Sequence, residues 1–130
     1  MSEFSDALSL SASGLKAQSR RLQHLSENIA NADTPGYRRK TVPFKAEFDS
    51  SGQSGRVEAG RVRLDRTEPE QIFDPSHPLA DESGHYAGSN VNLVIELADA
   101  REAQRSYEAN LKMFEQARQM SKSLFDLLRK

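Results

Sequence analysis

The chain has no cysteine. That excludes disulfides, cysteine-ligated zinc and a thiol nucleophile. It leaves the redox compartment open, because a cysteine-free chain is stable in either. Net charge is scarce as well: 18 Lys/Arg stand against 19 Asp/Glu, for a formal charge of −1. A nucleic-acid-binding domain of this size is normally clearly basic, so no nucleic-acid partner is expected. No apolar run approaches the roughly 20 residues that span a bilayer. The opening Met1-Ser2-Glu3-Phe4-Ser5-Asp6 lacks the basic and apolar regions of a secretory signal. There is also no Gly-rich phosphate loop and no serine-nucleophile motif. Hydrophobic residues make up only 36% of the chain, too few for a generous core in 130 residues.

Proline and glycine are missing from the two ends in a telling way. All five prolines and six of the seven glycines fall within 33–90. What remains outside reads as two long amphipathic helices. At the N-terminal end Leu8, Leu15, Leu22 and Ile29 recur every seven residues, beside a half-polar line of Phe4, Ser11, Gln18 and Leu25. Ser2 can cap this helix, and Pro35 disfavours helical geometry at Thr34, so it should stop near 31–33. At the C-terminal end Leu97, Tyr107, Leu111, Phe114, Phe125 and Leu128 form one stripe, and Met113, Ala117, Met120, Leu124 and Leu127 form a second beside it. Asn90 or Asn92 can cap that helix, which should run to about Arg129. Glu108–Lys112 and Asp126–Lys130 are favourable i,i+4 pairs.

A helix with one apolar stripe cannot bury it alone. With no third helix in the sequence, the two must pair with each other, with other chains, or both. The expected fold is mainly α: long terminal helices packed antiparallel as a coiled coil, with the Leu8–Ile29 stripe facing the Leu97–Leu128 stripe. The free chain is expected to be loosely ordered at its ends. The organisation is an N-terminal helix at 1–33, a turn, hairpin and loop segment at 34–89, and a C-terminal helix at 90–130.

In the middle, Thr34-Pro35-Gly36-Tyr37 has the chemistry of a type II turn. The alternating runs Val42, Phe44, Ala46, Phe48 and Val57, Ala59, Val62, Leu64 predict a β-hairpin around a Gly/Ser loop at 50–55. Segment 67–90 has no period and reads as a loop extended until a neighbour orders it. Charge is unevenly placed: residues 37–66 hold eight Lys/Arg and four acids, while 67–90 hold five acids and no Lys/Arg. A subunit with one basic and one acidic face can join its copies or close relatives head to tail. The competing reading is two solvated faces.

No residues here predict catalysis or a cofactor. His77 and His85 near Asp74, Asp81 and Glu82 match no standard metal spacing, so no metal is expected. Glu96, Asp99 and Glu102 are spaced along one helix face and read as solvated, because nothing in the sequence builds a cleft around them. No small-molecule substrate is implied.

At 22–37 the sequence Leu-Gln-His-Leu-Ser-Glu-Asn-Ile-Ala-Asn-Ala-Asp-Thr-Pro-Gly-Tyr resembles the N-terminal signature of bacterial flagellar rod, hook and axial proteins. Its core, Asn28-Ile29-Ala30-Asn31 followed by Thr34-Pro35-Gly36-Tyr37, is complete. At the other end, Ser89-Asn90-Val91-Asn92-Leu93-Val94-Ile95-Glu96 and Arg105-Ser106-Tyr107-Glu108-Ala109-Asn110 are similar to the family's C-terminal elements. Short length, the 74–86 stretch with its Pro75-Ser76-His77-Pro78 core, and Tyr37–Phe44 resemble the proximal-rod subclass. Many of that subclass carry a few extra residues before the Tyr-Arg segment, where this chain has the compact turn. The resemblance implies a structural, non-enzymatic subunit that polymerises with its copies and other rod proteins in the periplasm. It also implies passage through the flagellar type III export machinery without a cleavable signal. The assembly residues implied or suggested are Leu8, Leu15, Leu22, Asn28, Ile29, Asn31 and the Thr34–Tyr37 turn, with Asn90, Arg105, Tyr107, Asn110, Leu111, Phe114, Phe125 and Leu128. Two other classes stay in view: a cytoplasmic coiled-coil adaptor or export chaperone, and a cell-wall hydrolase.

Overall fold

A computed structural model describes residues 2–48 and 55–129. The expected Ser2 side-chain cap, the tip of the first hairpin and the Lys130 half of the Asp126 pair lie outside the described residues. Among those described, the order is α1 (Ser2–Ala30), β1 (Lys40–Thr41), β2 (Phe44–Glu47), β3 (Arg56–Ala59), β4 (Arg63–Leu64), β5 (Gln71–Phe73), β6 (His85–Ala87) and α2 (Leu93–Leu128).

α1 is free of proline, and Ile29 is its one β-branched residue, so little opposes helix over 29 residues. It unwinds where Asn31 and Ala32 still bond back to Glu27 and Ile29. α2 begins at Asn92, whose Oδ1 accepts from the backbone N of Val94 (3.0 Å) and Ile95 (3.4 Å). This N-cap satisfies two of the orphan amides of the first turn. Asn92, not Asn90, is therefore the cap.

The two helices touch in opposite sequence order. Asn28 meets Glu96, Arg21 meets Glu102, and Gly14 lies under Asn110. The α1 residues turned toward α2 are Ser11, Gly14, Gln18, Arg21, Leu25 and Asn28, at alternating spacings of three and four. The leucine stripe is not among them. This corrects the expected pairing: Leu8, Leu15, Leu22 and Ile29 sit half-buried on a flank of the seam. Leu97, Leu111, Phe125 and Leu128 are exposed, Leu128 to 72%. The reason is steric. A Cβ on Gly14 would come within 2.7 Å of the Asn110 amide, so the backbones approach more closely than leucines would permit. Ser11 of α1 and Ala103 of α2 are small and buried as well. Ala17, Leu25 and Ala103 are the buried hydrophobic residues among those described. Burying Leu25 contributes about 2 kcal/mol, and the two alanines much less. Such a core is slight for a chain of this length.

The first hairpin forms as expected and wraps α1. Phe44 pairs with Ala59 and Glu47 with Arg56, antiparallel. Lys40 pairs with Leu64 and Thr41 with Arg63. Between these two stretches lie two residues on one strand, Val42 and Pro43, and three on the other, Gly60 to Val62. The extra residue makes a bulge opposite Pro43, which has no N–H to give a ladder. The bulge sharpens the twist, so opposite edges of the ribbon meet α1 near its middle and at its C-terminal end. β1 touches Asn28, and Val57 of β3 donates to Ser13 Oγ at 3.1 Å. Among the described residues β2 pairs with β3 and β4 with β1, and both β2 and β4 are exposed.

Segment 67–90 departs from expectation. It forms its own hairpin, with Gln71 paired to Ala87, Ile72 to Tyr86 and Phe73 to His85. Side chains substitute for the missing hydrophobic period. Asp74 Oδ1 accepts from Ser76 N (3.2 Å) and Oγ (2.7 Å), and Asp81 Oδ1 from Ser83 N (2.9 Å), Ser83 Oγ (2.6 Å) and His85 N (3.1 Å). The His77 ring stacks on Tyr86, centroids 3.9 Å apart.

These turns carry a pH dependence. The Ser76 hydroxyl holds the Asp74 carboxyl below its ordinary value of 3.8, and the Ser83 hydroxyl does the same for Asp81. A carboxylate depressed in the folded state contributes stability that is present above 3.8 and lost as pH falls through the lower folded value. Amide exchange across 71–87 is therefore expected to accelerate below pH 3.8, after correction for intrinsic rates. Protection unchanged down to pH 2 would contradict this assignment. Among the described residues, no helix is long and apolar enough to cross a membrane.

Candidate assembly interface

Where the helices, β1 and the approach to α2 converge, the chain buries polar groups. Asn28 and Glu96 are both 0% exposed and are the largest fully buried side chains among those described. Asn28 uses every hydrogen-bonding position it has. Its Nδ2 donates to Lys40 O (2.9 Å) and Glu96 Oε2 (3.2 Å), and its Oδ1 accepts from Lys40 N (2.9 Å) and Tyr37 Oη (2.8 Å). The amide thus caps the free edge of β1 as a neighbouring strand would. No aspartate or leucine could do so, since the position needs two donors and two acceptors together.

Glu96 would be an uncompensated buried charge without Arg39. Arg39 Nε bonds Glu96 Oε1, and Nη2 bonds Asp99 Oδ2 at 3.0 Å. Nη1 lies 3.8 Å from Asp65 Oδ2. Burial alone would lower the guanidinium's pKa. The bond to Glu96, with the charges of Glu96, Asp99 and Asp65, outweighs it and holds Arg39 above its ordinary value. The reading of Glu96 and Asp99 as a solvated face is thus overturned: Glu96 is sealed inside, and Asp99 is partly covered. Beside them Lys40 Nζ bonds Glu27 Oε2 at 2.7 Å, which lowers the Glu27 pKa and raises that of Lys40.

The turn leading in has the expected form. Tyr37 N donates to Thr34 O (3.1 Å), and Gly36 adopts φ +74°. Pro35 sets the turn's second position. Asn31 Nδ2 bonds Glu27 O (2.8 Å) while its Oδ1 accepts from Thr34 Oγ1 (3.1 Å), so it closes the helix end onto the turn. Burial raises the Tyr37 pKa, and its hydroxyl remains a donor to Asn28. Asn90 is a second clamp. Its Oδ1 accepts from Arg39 N (2.7 Å), and its Nδ2 donates to Asp65 O and Thr67 O, both at 3.0 Å. Ser89 Oγ bonds Ala32 O, fastening the approach to α2 onto the end of α1.

The expected residues therefore fall into two groups. Asn28, Asn31, Thr34, Pro35, Gly36, Tyr37 and Asn90 come together in one polar knot. The second group lies along the helices. Asn110 stands over Gly14 and bonds Ser106 O at 2.9 Å, Tyr107 and Phe114 are half-buried, and Arg105, Leu111, Phe125 and Leu128 face outward. Sequence reasoning missed Arg39, Glu96, Asp65 and Ser89. The usable signal was Glu96 itself, a carboxylate immediately after a cap motif that places one helical turn inward. The knot joins segments: α1, the turn, β1 and the approach to α2 all meet in it.

Profiles of known families match both ends of the chain. "Flagella basal body rod protein" covers residues 8–38, and "Flagellar basal body rod FlgEFG protein C-terminal" covers 82–127. Among curated relatives, the flagellar basal-body rod protein FlgC of Agrobacterium fabrum is 46% identical, over 99% of this chain and 98% of its own length. FlgC of Salmonella typhimurium is 32% identical over 85% and 87%. FlgC of Yersinia enterocolitica is 33% identical over 80% and 82%.

Proposed function

We infer the working role from the family: the chain belongs to the flagellar basal-body rod proteins of the FlgC kind and is a structural subunit of the rod, not an enzyme. The chain polymerises with its own copies and with related rod proteins, to form a shaft that transmits rotation and encloses the export path. It reaches the periplasm through the flagellar type III export machinery. In the rod, the two helices pack as an antiparallel coiled coil that neighbouring subunits complete. The observation that carries this reading is that α2 leaves apolar side chains uncovered along its whole length, from Val94 and Ile95 at its start to Leu111, Phe125 and Leu128 farther on. A subunit with so slight a core gains its remaining burial from neighbours. The adaptor or chaperone alternative accounts for the helices but gives the knot and the two hairpins no role.

The test is deletion and complementation in a flagellated host. Cells lacking the chain should be non-motile and lack rods, and a tagged copy should restore swimming and copurify with basal bodies. Normal rods without the chain would overturn the role.

A backbone prediction arises from the turn. Gly36 has open space where a Cβ would stand, so only its positive φ resists substitution. Gly36→Val should cost about 1–2 kcal/mol from backbone strain alone. It should also swing the hairpin off α1, lowering rod yield while secretion of the chain continues. Wild-type swimming by Gly36→Val cells would contradict this.

A further inference from the structure

We propose that successive copies of this chain dock head to tail, the arginine-lined β4 strand of one copy seating on the β5–β6 hairpin of the next. The proposal rests on the rod role above and says which surfaces of two copies meet. The fold has sorted the charges of the middle segment. Arg39 and Lys40 are turned inward onto Glu96, Asp99, Asp65 and Glu27. Arg61, Arg63 and Arg66 are exposed and have no ion pair among the described residues. They line β4, which among the described residues pairs with β1. β4 is only two residues long and lined by arginines, so it would recruit a neighbour through charge and not through a strand ladder. Val62 and Leu64 beside these arginines are also exposed, Leu64 to 53%.

The second hairpin carries the complement. Glu68, Glu70 and Glu82 are exposed and unpaired among the described residues, and the segment 67–90 contains no Lys or Arg to neutralise them. Phe73 (65% exposed) and Leu79 (64%) are uncovered on the same segment. The exposed charges of the two segments are thus opposite in sign. The patches are different surfaces, so the contact is heterologous and propagates into a helix or ring instead of closing a dimer. That geometry suits a subunit of a tubular shaft.

Because the chain has no cysteine, the contact can be tested in assembled basal bodies. One copy carries Arg63→Cys, and a co-expressed, size-tagged copy carries Glu70→Cys. Oxidation or a short bismaleimide should join tagged to untagged chain. Using two chains excludes a link within one. A link between two Arg63→Cys chains, a link only to another protein, or no link in basal bodies that contain both copies would overturn the proposal. A charge exchange supplies the second arm. Reversing Arg61, Arg63 and Arg66 to Glu should lower rod yield about tenfold, an effect in the range of lost charge complementarity. Adding Glu68, Glu70 and Glu82 to Arg in the same chain should restore most of that yield, because every copy then carries both exchanged patches. Full yield with the first reversal alone, or no recovery with both, would count against the contact. Absence of the unmodified chain from basal bodies would instead defeat the rod role.

Discussion

Arg39→Ala is expected to unfold the junction between the helices. The substitution leaves Glu96 fully buried with no cation, and Asp99 and Asp65 lose the same partner. Breaking a buried pair by removing one member costs about 3–5 kcal/mol. With a core as small as this one, that is a large share of the 5–15 kcal/mol typical of a whole domain. The helical signal of Arg39→Ala in circular dichroism should melt tens of degrees below that of the parent, and rods should not form. Removing both charges is a different experiment. Arg39→Met with Glu96→Gln removes both charges and keeps an acceptor for Asn28 Nδ2, so the double variant should be more stable than Arg39→Ala. If Arg39→Ala melts with the parent, the knot does not hold the helices together.

The second large effect should leave stability untouched. Phe125 and Leu128 are exposed in the free chain, so replacing both by serine removes little burial from it. Surface changes of this kind usually fall within about 0.5 kcal/mol. Rod assembly, however, should fail, because each side chain forfeits about 1.5–3 kcal/mol of burial at every contact where a neighbour would have covered it. The signature is a chain that melts like the parent and is exported like the parent, but leaves cells non-motile. Normal swimming by the double serine variant would mean that this face meets only solvent. The two experiments separate internal joining from joining between subunits.

These outcomes also mark what could be read in the residues. The helices, the first hairpin and the type II turn were legible because each depends on local chemistry: period, caps, and proline before glycine. The hairpin at 71–87 was not, because aspartate–serine turns and a histidine–tyrosine stack stabilise it, and neither leaves an alternating pattern. The seam was misread for a different reason. Periodicity shows that Leu8, Leu15, Leu22 and Ile29 share a face, but not what covers that face. The closer helix approach went to Ser11, Gly14 and Ala103, which a hydrophobic pattern ranks low. The motif asparagines were legible as a joint. Their partners Arg39 and Glu96 were not, because a charged pair buried across 57 residues of sequence looks locally like two surface residues.

The central claim is that the outward face of α2 is bare in the free chain and covered in the rod. Leu128→Cys reports this directly, since it adds the chain's one thiol at an exposed position. The rate of maleimide labelling should be fast on the purified chain and at least about tenfold slower on the same chain in isolated basal bodies, as expected for a side chain withdrawn from solvent. Equal labelling in the two states, with rods intact, would contradict it.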